Sequence, residues 1–165
     1  MNILIDTPYF LPFVKIGIKN IPQNVLIKLF SKTSNNYYYS DLSIFEITAT
    51  ALKIISQENG VITPQDIRVG IDAIQHDSRL NVISYTQHPF IIELSSEFRS
   101  IHNDTIDCLI FATAICTCDC IITMNVSFYD QIKKNSILIK KIKEINESFK
   151  FWFNDLSNEL ESLEM

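Results

Sequence analysis

The sequence predicts a three-layer α/β/α sandwich with a central parallel sheet, and three observations carry that prediction. Short apolar runs recur along the chain: Asn2-Ile3-Leu4-Ile5, Tyr37-Tyr38-Tyr39, Asn81-Val82-Ile83-Ser84 and Cys120-Ile121-Ile122-Thr123. Stretches with helical periodicity separate them, the alternation expected of a parallel sheet with helices on both faces. The run at Cys120 is apolar throughout, as suits a strand buried on both faces. Polar side chains, Asp6 and Asn125, stand just beyond the first and last of these runs. In open parallel sheets the crevice beyond the carboxyl ends of the strands is where ligands bind.

In chain order, Pro8 to Lys19 fits a short helix, because proline is tolerated in a first helical turn. Pro22 opens a second helix through Val25, Leu26, Leu29 and Phe30, and Ser34-Asn35-Asn36 is a turn before the tyrosine strand. Ser40 or Asp41 caps a helix to about Ser56, and Asn59-Gly60 ends that unit. Glu46 lies on this helix between Ile44, Phe45 and Ile47. A carboxylate in such company sits at the edge of the core, meets a charged partner, or faces solvent as most helix glutamates do. Pro64 starts a helix through Ile67, Ile71 and Ile74, and another spans about Gln87 to Ser100. Thr105-Ile106-Asp107 has the look of a helix start, with a hydroxyl cap and an acid in the first turn. Ile106, Leu109, Ile110 and Ala114 then give that helix one apolar face. Phe128 to Lys134 is helical, and Lys140 onward reads as one long final helix. Ile145, Phe149, Trp152, Leu156, Leu160 and Leu163 form its stripe, packed on the same domain or on a partner. The expected division is therefore a core domain over 1–135 and a C-terminal helical extension over 136–165.

A chain of 165 residues with 47% hydrophobic and 20% charged residues is an ordinary globular protein. Its length is sufficient to bury roughly 70% of the unfolded surface. Only three glycines are present, which excludes glycine-rich phosphate loops. No apolar run is long enough to span a membrane and the amino terminus has no secretory layout, so the expected location is cytoplasmic. A net charge of −5 argues against non-specific coating of nucleic acid. Lys133, Lys134, Lys140, Lys141, Lys143 and Lys150 nevertheless cluster, either as solvated helix faces or as a local guide for a phosphate backbone. Cys108, Cys116, Cys118 and Cys120 lack the pair spacing of zinc sites and are expected to be buried thiols. His76, His88 and His102 are the only imidazoles, and His102, just before the late helix, is read in a surface or capping role ahead of a contact with RNA.

Asp6, Glu46, Asp107 and Asn125 are oxygen-bearing side chains at element ends or among apolar neighbours. Hard cations such as Mg²⁺ and Mn²⁺ take oxygen ligands and retain waters. Each residue also has a local use, in a cap, a helix dipole or a turn.

As a set they resemble a family. An acid after the first strand (LIDTPYF) and an acid within a helix after a polar turn (SDLSIFEI) precede the acid that opens a late helix (HNDTIDCLIFATAI) and a threonine-x-polar step after the next strand (IITMN). In this order the motifs are similar to those of PIN domains, metal-dependent ribonucleases that include the VapC-type toxins of toxin–antitoxin pairs. The similarity covers about residues 2 to 134. It implies Asp6, Glu46 and Asp107 as the principal acids holding Mg²⁺ or Mn²⁺, with Thr123 in support and Asp104 as a cap or stand-in. Asn125 occupies the family's fourth acidic position, a departure that removes a charge, and Asp130 is near enough in sequence to substitute. The implied activity is hydrolysis of single-stranded RNA, with a homodimer and an antitoxin protein as partners. The alternative is a weakened or inactive PIN fold serving as a binding scaffold. A phosphatase that needs D-x-D after the first strand fits less well, since the chain has Asp6-Thr7-Pro8.

Overall fold

The computed structural model describes residues 1–19, 21, 24–31, 34–57, 62–153 and 161–163. Expectations at Pro22, Asn59-Gly60, Leu156 and Leu160 lie outside these residues. Among the described residues six strands form one sheet: β1 (Asn2–Ile5), β2 (Asn36–Ser40), β3 (Leu80–Ile83), β4 (Cys120–Thr123), β5 (Lys150–Phe153) and β6 (Glu161–Ser162), in the spatial order β3-β2-β1-β4-β5-β6. The first five are parallel and β6 returns antiparallel.

Alternate residues of each strand serve opposite layers, as the twofold side-chain period requires. Leu4, Ile121, Phe151 and Phe153 join one core. Helices α4 (Phe90–Phe98), α5 (Thr105–Thr117), α6 (Val126–Lys133) and α7 (Ser136–Ile145) cover it. Ile3, Ile5, Tyr37, Tyr39, Ile122 and Trp152 join the other. That layer is built from α1 (Val25–Phe30), α2 (Asp41–Gln57), α3 (Pro64–Gln75) and two short 3-10 helices, Thr7–Tyr9 and Leu11–Val14. The expected helix at Pro8–Lys19 is thus two 3-10 pieces. Asp6 caps the first through its side chain, and Lys15, in the left-handed region at φ 64°, ends the second.

Two expectations are corrected. First, α5 is not amphipathic: Cys108 and every residue from Ile110 to Ile115 are buried. It packs most extensively against α4 and also meets α2, β4 and α7, which leaves Thr105 exposed and Ile106, Asp107, Leu109, Cys116 and Thr117 half-buried. Second, among the described residues the chain from Lys140 onward is not one long helix. The amphipathic α7 stops at Asn146, and residues 150–153 pair with β4, with Cys120 opposite Lys150 and Thr123 opposite Phe153. Phe149, Trp152 and Leu163, placed by sequence on a helical stripe, fill the sheet's cores instead. The core is continuous across residue 135, since α6, α7 and β5 share one cluster.

The chain runs β1, β2, β3 toward one edge and β4, β5 toward the other, so its direction reverses between β1 and β4. That reversal is the topological switch point at which such sheets open a crevice.

Candidate functional site

Asp6 leaves β1 and Thr123 ends β4 at this switch point. Asp6 is 3% exposed and Thr123 is fully buried. The Asp6 amide donates to Ile122 O at 2.9 Å, locking the two strand ends together. Thr123 Oγ1 donates to Asp6 Oδ2 at 2.6 Å, and the Thr7 amide donates to Asp6 Oδ1 at 2.8 Å. The carboxylate is therefore oriented by both of its oxygens. Thr123 is itself tied down, because the Asn125 amide donates to its Oγ1 at 2.9 Å.

Helix α2 brings Glu46 and α5 brings Asp107 to the same place. Burial, opposed by the Thr123 hydrogen bond and reinforced by the charges of Asp107 and Glu46, raises the Asp6 pKa to about 7. Glu46 is also raised, first by burial, against a contact with Thr7, and then by Asp107 and Asp104. Asp107 is raised by burial too, with the His102 hydrogen bond pulling the other way. The acids thus feel one another, yet burial outweighs mutual repulsion as the cause, contrary to what crowding alone predicts.

Among the described residues three buried side-chain oxygens make no well-formed hydrogen bond, Thr7 Oγ1 and Glu46 Oε2 at this site and Ser43 Oγ on α2. Thr7 lies close enough to steady the Glu46 carboxylate, but without the geometry of a bond. Buried polar atoms are rarely left so. Among the described residues, no three Asp, Glu, His or Cys side chains form by themselves a group that could hold a metal ion. The acids are neighbours, not a closed shell, so the expected direct sharing of one cation by all three is not built into this arrangement. The donor chemistry still suits a hard cation, since it is all oxygen, anionic and incompletely satisfied, and Mg²⁺-class ions complete their shells with water.

Asn125 departs from its expected part. Its Oδ1 accepts from the Phe128 amide at 3.1 Å and from Ser127 Oγ at 2.9 Å, capping α6, while its Nδ2 donates to Asp107 Oδ2 at 2.9 Å. The oxygen expected to serve the site is spent on the helix. Asp104 caps α5 by accepting from the Ile106 and Asp107 amides at 2.8 and 3.2 Å, and it is exposed. Asp130 is exposed on α6.

Sequence reasoning missed Thr7, Ser43 and His102. The imidazole of His102 lies against the Phe128 ring, with centroids 4.1 Å apart and planes 10° from parallel, and its Nε2 meets Asp107 Oδ2 at 2.9 Å. Its position five residues before Asp107 was the only available signal, and spacing alone does not reveal such a contact.

Elsewhere the cysteines are unpaired, and burial pushes Cys118 and Cys120 up to about 11 and about 12. Lys141 lies 2.9 Å from both Glu93 and Glu97, and Lys140 is 3.9 Å from Glu144, so part of the lysine cluster is neutralised locally.

This architecture, a parallel sheet between helical layers with acids at the switch point, is the PIN-like α/β/α class. A chain of the crystal structure of VapBC2 from Rickettsia felis bound to a DNA fragment from their promoter shares the fold, with a TM-score of 0.53 and 18% identity. The match covers 93% of this chain and 98% of that one. No family model matches the sequence, and no curated protein matches it. Among the described residues no helix is long and apolar enough to cross a membrane.

Proposed function

We propose that this chain is a metal-dependent ribonuclease that hydrolyses phosphodiester bonds in single-stranded RNA. The observation that carries the reading is Asp6, buried and doubly hydrogen-bonded at the β1–β4 switch point, with Glu46 and Asp107 as its electrostatic neighbours. A carboxylate confined in this way is stabilised by a cation that its surroundings do not otherwise provide. Asp6, Glu46 and Asp107 would hold Mg²⁺ or Mn²⁺ in part through bound waters. When bound, such an ion stabilises the charge that develops on a phosphodiester and helps to orient the attacking water.

The chain's own residues supply positioning. Thr123 and the Thr7 amide fix Asp6, leaving each of its oxygens a further lone pair. The free Oε2 of Glu46 can accept a proton or bind through water. Exposed Asp104 adds negative charge at the mouth, which favours a cation there.

The likeness to a chain of the VapBC2 complex supports a further proposal, that the protein is the toxin of a toxin–antitoxin pair restrained by a protein partner; a homodimer in the cytoplasm belongs to the same proposal on the sequence resemblance alone. A second reading has its own observation: Asn125 lacks the fourth acid's charge and turns its oxygen into the α6 cap. On that reading the fold is a catalytically weak scaffold.

Incubation with single-stranded RNA in the presence of Mn²⁺ or of a chelator separates the two. Cleavage that the chelator abolishes supports the nuclease. Intact RNA at saturating Mn²⁺, with undiminished RNA binding, supports the scaffold.

A further inference from the structure

Two N–H donors converge on one carboxylate oxygen. Asp107 Oδ2 lies 2.9 Å from both His102 Nε2 and Asn125 Nδ2. The orientation of the Asn125 amide is forced. The Phe128 backbone N–H can only donate, so the amide oxygen must face it and the NH₂ must face Asp107. His102 is equally constrained: its backbone N donates to Phe98 O at 2.9 Å, its carbonyl accepts from Arg99 Nη1 at 2.7 Å, and its ring is stacked on Phe128. Phe128 is fully buried and packs edge-on against Phe98, at 5.3 Å between centroids, so the platform under the imidazole is rigid. A carboxylate oxygen has two lone pairs, and two donors fill them.

We propose that His102 and Asn125 are positioning residues whose paired N–H groups take the place of a second cation on Asp107, so that this site holds a single divalent ion. The inference rests on the metallonuclease reading above. Two-ion phosphodiester sites need carboxylates that bridge or flank both ions, at a separation of roughly 3.5–4 Å. Here Oδ2 of Asp107 is already satisfied, and position 125 presents N–H where a second ion would need oxygen. His102 also explains how the site tolerates the missing acid: Asp107 keeps its orientation without an ion on that side. Neither residue would touch substrate, and both act through Asp107.

Calorimetric titration of the whole protein with Mn²⁺ tests this by stoichiometry. The wild type should bind one ion. His102→Gln retains an N–H donor and should also bind one, with affinity within a few-fold of wild type. The double variant His102→Phe/Asn125→Asp keeps a ring on Phe128, frees Oδ2 and restores the fourth acid, and it should bind two. A role confined to packing would leave stoichiometry unchanged in every variant. Two ions on the wild type overturn the inference while leaving the metal site standing, and they do so whether or not any variant folds. One ion on a folded double variant overturns it as well. No Mn²⁺ bound to the wild type removes the metal reading and this inference with it.

Discussion

At the scale of single residues the protein is governed by Asp6. Its folded-state pKa of about 7 lies far above the 3.8 of an ordinary aspartate, so the folded protein holds this proton more tightly than the unfolded chain does. The stability contribution is therefore greatest below about pH 4 and declines as pH rises to about 7, by up to roughly 4 kcal/mol over that window. Glu46 and Asp107 are shifted in the same direction and steepen the decline. Asp66, held down to about 2 chiefly by Lys15, works in the opposite sense: its stabilisation is present above its unfolded value and lost only as the solution becomes strongly acid. Thermal unfolding in chelator should accordingly show the melting temperature falling between pH 4 and pH 7. Asp6→Asn should flatten that slope, and an unchanged slope in the variant would mean that Asp6 is not the group responsible. The acids themselves were legible because each stands at an element end or inside an apolar run. Thr7 and Ser43 were not, because what distinguishes them is a missing partner, and His102 was not, because its stacking on distant Phe128 leaves no trace in local sequence.

At the scale of elements, the close approach of α3 to the 3-10 helix Leu11–Val14 depends on Gly70. A Cβ there would lie 2.5 Å from Phe13 O and 2.6 Å from Val14 Cγ1. Gly70→Ala gains up to about 1 kcal/mol of helix propensity. The clash with backbone should outweigh that, for a net loss of about 1–2 kcal/mol in urea denaturation. A neutral or stabilised variant would show that the two elements part easily. Strand β5 offers a second test. Phe151 is fully buried and packs among Phe111, Tyr129, Phe149 and Phe153. Phe151→Ala should cost about 3–5 kcal/mol, as for other core aromatics. A loss below 1 kcal/mol would instead suit the peripheral helical extension read from the sequence. The first four strands and the helices at Asp41, Pro64 and Thr105 were legible from apolar runs, caps and prolines. Strand β5 was not: the short run Lys150-Phe151-Trp152-Phe153 is apolar toward both faces, and period cannot separate such a strand from a buried helical turn. Helix α5 misled for a related reason, since a helix buried over most of its surface carries no single apolar stripe.

For the whole molecule, the topology explains why residues as distant in sequence as Asp6, Glu46 and Asp107 come near enough to influence one another's charge. The chain reverses direction between β1 and β4, β2 leads into α2, which carries Glu46, and α5, which carries Asp107, packs beside β4. The sheet's two cores hold these ends rigid, so the site's negative charge cannot be relieved by collapse and must be met by protons, by the N–H donors of His102 and Asn125, or by a cation. The nuclease account says that a cation is the answer in the working protein. Its most direct test is the rate of single-stranded RNA cleavage at saturating Mn²⁺ for the wild type and for Asp107→Asn, each checked for folding by circular dichroism. The account predicts measurable cleavage by the wild type and a loss of at least about 100-fold, or roughly 2.7 kcal/mol of transition-state stabilisation, in the variant. Equal rates for the two folded proteins would contradict it.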